Sequence, residues 1–99
     1  MAGPQLHVIT HIDVVPPRAE EGTELIRQYF VDLRNRPGLV RSHLLQQVAK
    51  KNHFEFITVW ESNESYEQHL MAAPTLEFRR LLYPMIGSPI DDRLHHQLD

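Results

Sequence analysis

The sequence predicts a single α+β domain of ferredoxin-like type, with strands and helices in the order β-α-β-β-α-β. Two periodicities carry this reading. Apolar residues alternate at Leu6, Val8, Ile12 and Val14, and again at Phe54, Phe56 and Trp60, as half-buried strands require. Between and after them, Leu25, Ile26, Tyr29, Phe30 and Leu33, then Tyr66, His69, Leu70 and Ala73, recur at helical spacing. Ninety-nine residues suffice for one core with little surplus, so residues 1–99 form one domain.

The first strand runs from Leu6 to Val15, and its second face is mixed: His7, Ile9, His11, Asp13 and Val15. Pro16-Pro17 closes it and starts a helix, because proline fits a first helical turn. Glu20 and Glu21 lie near that helix N-terminus, where negative charge is favoured, and Pro37-Gly38 ends the helix. Leu39 to Val48 reads as the second strand and Lys50-Lys51-Asn52 as a polar turn. His53 to Trp60 is the third strand, with Ile57 and Val59 on the face opposite Phe54, Phe56 and Trp60. Ser62 or Asn63 caps the next helix. Pro74 breaks or restarts it, and Phe78, Leu81, Leu82 and Met85 form a second stripe up to Gly87. Ile90 to Leu98 is the last strand, with Ile90, Leu94 and Leu98 on one face.

Right-handed crossovers place both helices on one face of a four-stranded antiparallel sheet. Ile9, Val15, Ile57 and Val59 are then left uncovered on the other face. A symmetric homodimer, sheet against sheet, would cover them. The net charge of -3 gives no electrostatic reason to expect nucleic acid or anionic lipid as partner. Apolar runs such as Ile57 to Trp60 are far too short to cross a bilayer. The N-terminal Met-Ala-Gly-Pro-Gln-Leu lacks the basic start and apolar core of a signal peptide. Zero cysteines exclude disulfide and thiolate chemistry and fit a cytoplasmic location.

The stretch from Phe56 to Leu70 is the best place to look for chemistry. The only tryptophan, Trp60, ends a strand just before a helix bearing Tyr66 and His69. Trp60 is either a substrate wall or a large core residue. Tyr66 shares a stripe with Leu70, so its hydroxyl needs a partner from protein, water or substrate. His69 is the acid–base candidate, since an imidazole moves protons near neutral pH; the alternative is a histidine bonded to a carbonyl that fixes the helix. Asp13 acts as a base only if the pocket opens on its side. His7 and His11 share a strand face but lie roughly 13 Å apart along it, and His95 and His96 point to opposite faces. Neither pair holds one ion within a chain, so no metal is expected. Phosphate loops, Ser-His-Asp spacing and paired metal carboxylates are absent from the sequence.

Pro37-Gly38 before the second strand, Val59-Trp60-Glu61-Ser62 at the end of the third, His69 nine residues beyond Trp60, and Pro84 with Ser88-Pro89 before the last strand stand together. In these the chain resembles the antibiotic biosynthesis monooxygenase family of dimeric α/β barrels. The resemblance covers nearly the whole chain. It implies a cofactor-free enzyme that oxidises a quinol-like or polycyclic aromatic small molecule with dioxygen. It also implies that Trp60 and Tyr66 line a cleft between sheet and helices, with Arg80 roughly in the place of a functional arginine. Where relatives carry an asparagine before the tryptophan, this chain has Phe56. Haem-degrading relatives use an asparagine on the first strand and a later helical histidine; Gln5 to Val15 and Phe78-Arg79-Arg80 lack both.

The expected reaction uses a substrate that reduces oxygen itself once deprotonated. Trp60, Phe54 and Phe56 then supply a dry wall, Tyr66 orients a substrate oxygen, and His69 accepts or relays the proton. An isomerase or tautomerase of a small carbonyl compound would use the same His69/Tyr66 pair. A non-catalytic, small-molecule-binding dimer is the third reading.

Overall fold

The computed structural model describes residues 4–99. Met1 to Gly3, part of the segment read against a signal peptide and of the 1–99 domain span, lie outside the described residues. Four strands, β1 (Leu6–Asp13), β2 (Leu39–Gln46), β3 (His53–Trp60) and β4 (Asp91–His95), form one sheet in the order β2-β3-β1-β4. Every neighbouring pair is antiparallel. Helices α1 (Ala19–Leu33), α2 (Asn63–Met71) and α3 (Ala73–Leu82) complete the ferredoxin-like α+β fold.

The sheet has a strict inner and outer side because β1 and β3 pair in register from Leu6↔Trp60 to Asp13↔His53. Leu6, Val8, Ile12, Phe54, Phe56 and Trp60 face inward and are buried. They meet Ile26, Tyr29, Phe30 and Leu33 of α1 and Phe78 and Leu82 of α3 in one core. Two threonines interrupt this apolar face: Thr10 and Thr58, both buried. Their position decides where polar chemistry sits beneath the helices.

Pro16–Arg18 forms a separate 3-10 turn, so α1 begins at Ala19 rather than at the prolines. Its Gly22 packs on Val14, just beyond β1: a Cβ there would stand 2.6 Å from a Val14 methyl. Ser62 is the cap of α2, its hydroxyl accepting the Ser65 N–H at 3.2 Å. Gly38 has a φ of 83°, and a Cβ on it would come 2.5 Å from Ser65 Cβ, so only glycine lets this turn seat the start of α2. Pro74 restarts the helix: Ala72 is extended, ending α2 and opening α3. The restart sets a new buried stripe of Thr75, Phe78 and Leu82, leaving Ala73 exposed and Leu81 largely so.

Three strand expectations are corrected. β1 ends at Asp13; Val14 makes only an isolated bridge to Ile86, its N–H bonding the Asn52 carbonyl. β2 ends at Gln46, and Val48 is exposed because the hairpin turn has begun: the Gln47 N–H bonds the His53 carbonyl. β4 is five residues long, not the expected span of Ile90 to Leu98. As an edge strand it pairs only with β1, from His11↔Asp91 to His7↔His95, so Leu94 and Leu98 remain exposed.

The outer face is more polar than an apolar dimer seam would be. Ile9 is 39% exposed and Ile57 half-buried, but Val59 is only 2% exposed, flanked by His7 on β1 and Arg41 on β2. Histidines 7, 11, 43, 53 and 95, with Arg41, Glu55, Asp91 and Arg93, share this side through the strand register. Among the described residues, no helix is long and apolar enough to cross a membrane.

Candidate active site

Between the inner face of the sheet and the helices lies a cavity of about 20 Å³, room for about one water molecule. Thr10 and Thr58 of the sheet form its floor, Asp92 lines its edge, and its aromatic walls are Tyr29, Phe56, Tyr66 and Phe78. His69 and Arg79 supply the remaining titratable groups. Tyr29 and Phe78 stack with centroids 3.8 Å apart and planes 6° apart, which closes much of the slot.

His69 is held on both ring nitrogens by hydroxyls. Nε2 lies 3.2 Å from the Tyr29 hydroxyl, and Nδ1 lies 3.2 Å from the Thr75 hydroxyl. In either tautomer one nitrogen donates and the other accepts, so the three side chains form a short proton wire. Burial lowers the His69 pKa to about 4, helped by the charges of Arg36 and Arg79 and opposed by Asp92. The imidazole is therefore neutral at neutral pH. Burial, with the Asp92 carboxylate adding to it, pushes Tyr66 up to about 12. Burial raises Tyr29 as well.

Across the cavity, Asp92 accepts two bonds from Arg79 Nη2, at 3.0 and 3.2 Å, and the Thr10 hydroxyl at 2.6 Å. The Asp92 and Arg79 side chains keep 19% and 33% exposure, so this ion pair sits at the mouth rather than in the dry interior. Arg36 Nε is a buried donor with no partner among the described residues.

The predicted site residues divide. Tyr66, His69 and Phe56 line the cavity. Trp60 does not: it is fully buried, stacks on His69 with centroids 4.5 Å apart, and donates its indole N–H to Thr58 Oγ1 at 3.0 Å. It takes the core role and buttresses the histidine from behind. Phe54 is buried further along the strand and lines a separate groove with Thr23, Arg27, Leu44 and Gln46. Arg80 is exposed and pairs with Glu77 at 2.7 Å; Arg79 occupies the inward position instead. The reason is helical: Thr75, Phe78, Arg79 and Leu82 share one stripe after the restart at Pro74. Asp13 lies on the outer face, away from the cavity, bonding Gly87 and Ser88.

Tyr29, Thr75, Arg79, Asp92 and Thr10 were not among the predicted site residues. The legible signal was a polar residue on an apolar strand face, Thr10 and Thr58. Tyr29 and Thr75 looked like ordinary helix positions, and only packing joins them to His69.

A family model for antibiotic biosynthesis monooxygenases matches residues 5–81. The chain belongs to the antibiotic biosynthesis monooxygenase family. Among solved structures it is similar to PA3566 from Pseudomonas aeruginosa, at 20% identity and a TM-score of 0.90, covering 100% of this chain and 99% of that one. A crystal structure of an antibiotic biosynthesis monooxygenase matches at 18% identity and TM-score 0.89, covering 95% of this chain and 99% of that chain. Rv0793 from Mycobacterium tuberculosis matches at 15% identity and TM-score 0.88, covering 96% of each chain. At these identities the likeness is one of fold. No curated protein matches significantly in sequence.

Proposed function

We propose that the chain is a cofactor-independent monooxygenase that oxidises an electron-rich, quinol-like aromatic molecule with dioxygen. The observation that carries this reading is the neutral His69 imidazole, held between the Tyr29 and Thr75 hydroxyls at the wall of an aromatic-lined cavity. Burial depresses the histidine first, the positive charges of Arg36 and Arg79 add to it, and the same positive field favours a substrate anion. A deprotonated quinol-like ring can pass electrons to dioxygen without a bound cofactor. The substrate as a whole loses two hydrogens and gains one oxygen atom at the oxidised carbon; the second oxygen leaves as water with those two hydrogens, so no external reductant is needed. Tyr66 orients a substrate oxygen, and His69 relays the proton through Tyr29 or Thr75. Phe56 and Phe78 supply the dry wall. A ring enters only if the Tyr29/Phe78 stack opens, because the cavity holds about one water molecule at rest.

An oxygen electrode tests this with a panel of quinols and polycyclic phenols. Uptake with one of them should fall about tenfold or more in Tyr66→Phe and in His69→Ala, as loss of a positioned proton-transfer group implies. Equal turnover in both variants removes these residues from the mechanism. The small resting volume also favours a second reading, an isomerase or tautomerase of a compact carbonyl compound. Turnover without oxygen uptake would select it.

The same reading includes a homodimer through the outer face of the sheet. All three helices cover the inner side, Ile9 and Leu45 are exposed on the outer one, and side chains of both charge signs lie there. A cytoplasmic location belongs to this proposal as well.

A further inference from the structure

The outer face of the sheet carries a second constellation that the cleft chemistry does not use. His11 and Asp13 are two residues apart on β1 and so share a side, and β3 sets His53 opposite Asp13 and Glu55 opposite His11. One ligand atom from each of His11, Asp13 and His53 lies within 4.8 Å of the other two. We propose that these three side chains bind a zinc-like divalent transition metal, with a fourth position open to water.

Three details set this group apart from chance neighbours. First, His11 Nδ1 lies 2.8 Å from a Glu55 carboxylate oxygen, which fixes the ring proton on Nδ1 and leaves the Nε2 lone pair bare. That Nε2 faces Asp13 Oδ2 at 3.9 Å, too far for a hydrogen bond. A carboxylate behind a histidine is the arrangement that orients metal-bound imidazoles. Second, Asp13 is itself held, Oδ1 accepting the Gly87 N–H at 3.1 Å and Oδ2 the Ser88 hydroxyl at 2.5 Å. Each oxygen keeps a lone pair for an ion. Third, the His11 and His53 rings stand 5.3 Å apart with planes inclined by 55°, so they converge at an angle rather than stack.

Bonds of about 2.0–2.1 Å to tetrahedral zinc would bring the donors to about 3.3 Å from one another. The change from the present spacing is on the order of an ångström, within reach of side-chain rotation. In the single chain, side-chain exposures of 29% for His11 and 19% for Asp13 half shelter the site. Two imidazoles and one carboxylate favour zinc, copper or nickel over calcium and magnesium.

Calorimetric titration of the full chain with zinc chloride tests the proposal. The expected result is one ion per chain, with magnesium binding about a hundredfold more weakly or less. His11→Ala and His53→Ala should each weaken zinc about tenfold or more, and the milder Glu55→Gln about tenfold. His7→Ala and His43→Ala, on the same face, should leave zinc affinity unchanged. Zinc should raise the melting temperature of the wild-type chain but not that of the His11→Ala/His53→Ala double variant. The proposal is overturned if zinc fails to bind the wild-type chain, or if Glu55→Gln and the folded double variant both keep wild-type affinity. Equal losses from His7→Ala and His43→Ala would also overturn it, since they would mean scattered binding by surface histidines.

Discussion

The Tyr29 hydroxyl and His69 Nε2, forty positions apart in the chain, meet at 3.2 Å inside the core. Tyr29 comes from α1 and His69 from α2, so the bond ties these two helices together above the sheet. Tyr29→Phe keeps the ring and its stack on Phe78 but leaves His69 Nε2 without that partner. The expected cost is about 1–3 kcal/mol, read as a lowered urea midpoint with unchanged slope. A cost near zero would mean that water replaces the hydroxyl.

The buried histidine makes stability depend on pH. Its pKa is about 4 in the folded chain, below the ordinary value of 6.5 that it regains on unfolding. Between those two values the unfolded state binds more protons, so stability is complete above the upper value and declines as pH falls towards the lower. Each tenfold difference in proton affinity between the folded and unfolded chain corresponds to about 1.4 kcal/mol. Urea unfolding across that window should show the decline, and His69→Gln should flatten it. An NMR titration placing the ring at its ordinary value would remove the effect, and one above it would reverse the sign.

Asp92 is expected to tune the cavity through charge. Its carboxylate raises Tyr66 and opposes the lowering of His69. Asp92→Asn should therefore lower the Tyr66 pKa, measured by ultraviolet titration of tyrosinate, and lower the His69 pKa further. It also weakens the bonds from Arg79 and Thr10, at an expected cost of about 1–2 kcal/mol for a partly exposed pair. A Tyr66 titration unchanged by this substitution would place the carboxylate's influence elsewhere.

Gly38→Ala should destabilise the chain by about 2 kcal/mol or more, since it combines a positive φ with a close approach to Ser65. Ser65→Gly in the same chain removes the collision but not the backbone strain. The double variant should thus recover part of the loss and remain about 1–2 kcal/mol below wild type. Complete recovery would mean that the turn tolerates an L-residue.

Light scattering after size-exclusion chromatography should give twice the chain mass if the outer face pairs with a second copy. Ile9→Asp, at the exposed centre of that face, should shift the protein to a single chain with its fold intact. A wild-type monomer at high concentration would end the dimer proposal.

Element order was legible because each element announces itself locally. Alternation at Leu6, Val8 and Ile12 and at Phe54, Phe56 and Trp60 marks one-sided strands, and the breakers Pro37-Gly38 and Pro74 mark where helices cannot continue. Tyr66 and His69 were legible as a pair because positions one turn apart on a helix lie on the same side. These are properties of a few consecutive residues, and the sequence by itself determined them.

What the imidazole meets was decided only by the fold. Tyr29 and Thr75 reach it from other helices, Trp60 takes up its own N–H on Thr58 and becomes a support, and Arg79 replaces Arg80 through the new stripe after Pro74. The same holds for His11 and His53, which no spacing joins but which strand pairing brings to one corner of the outer face. Local periodicity specifies which way a side chain points. Which partner stands there depends on contacts between distant segments, and those exist only once the core has closed.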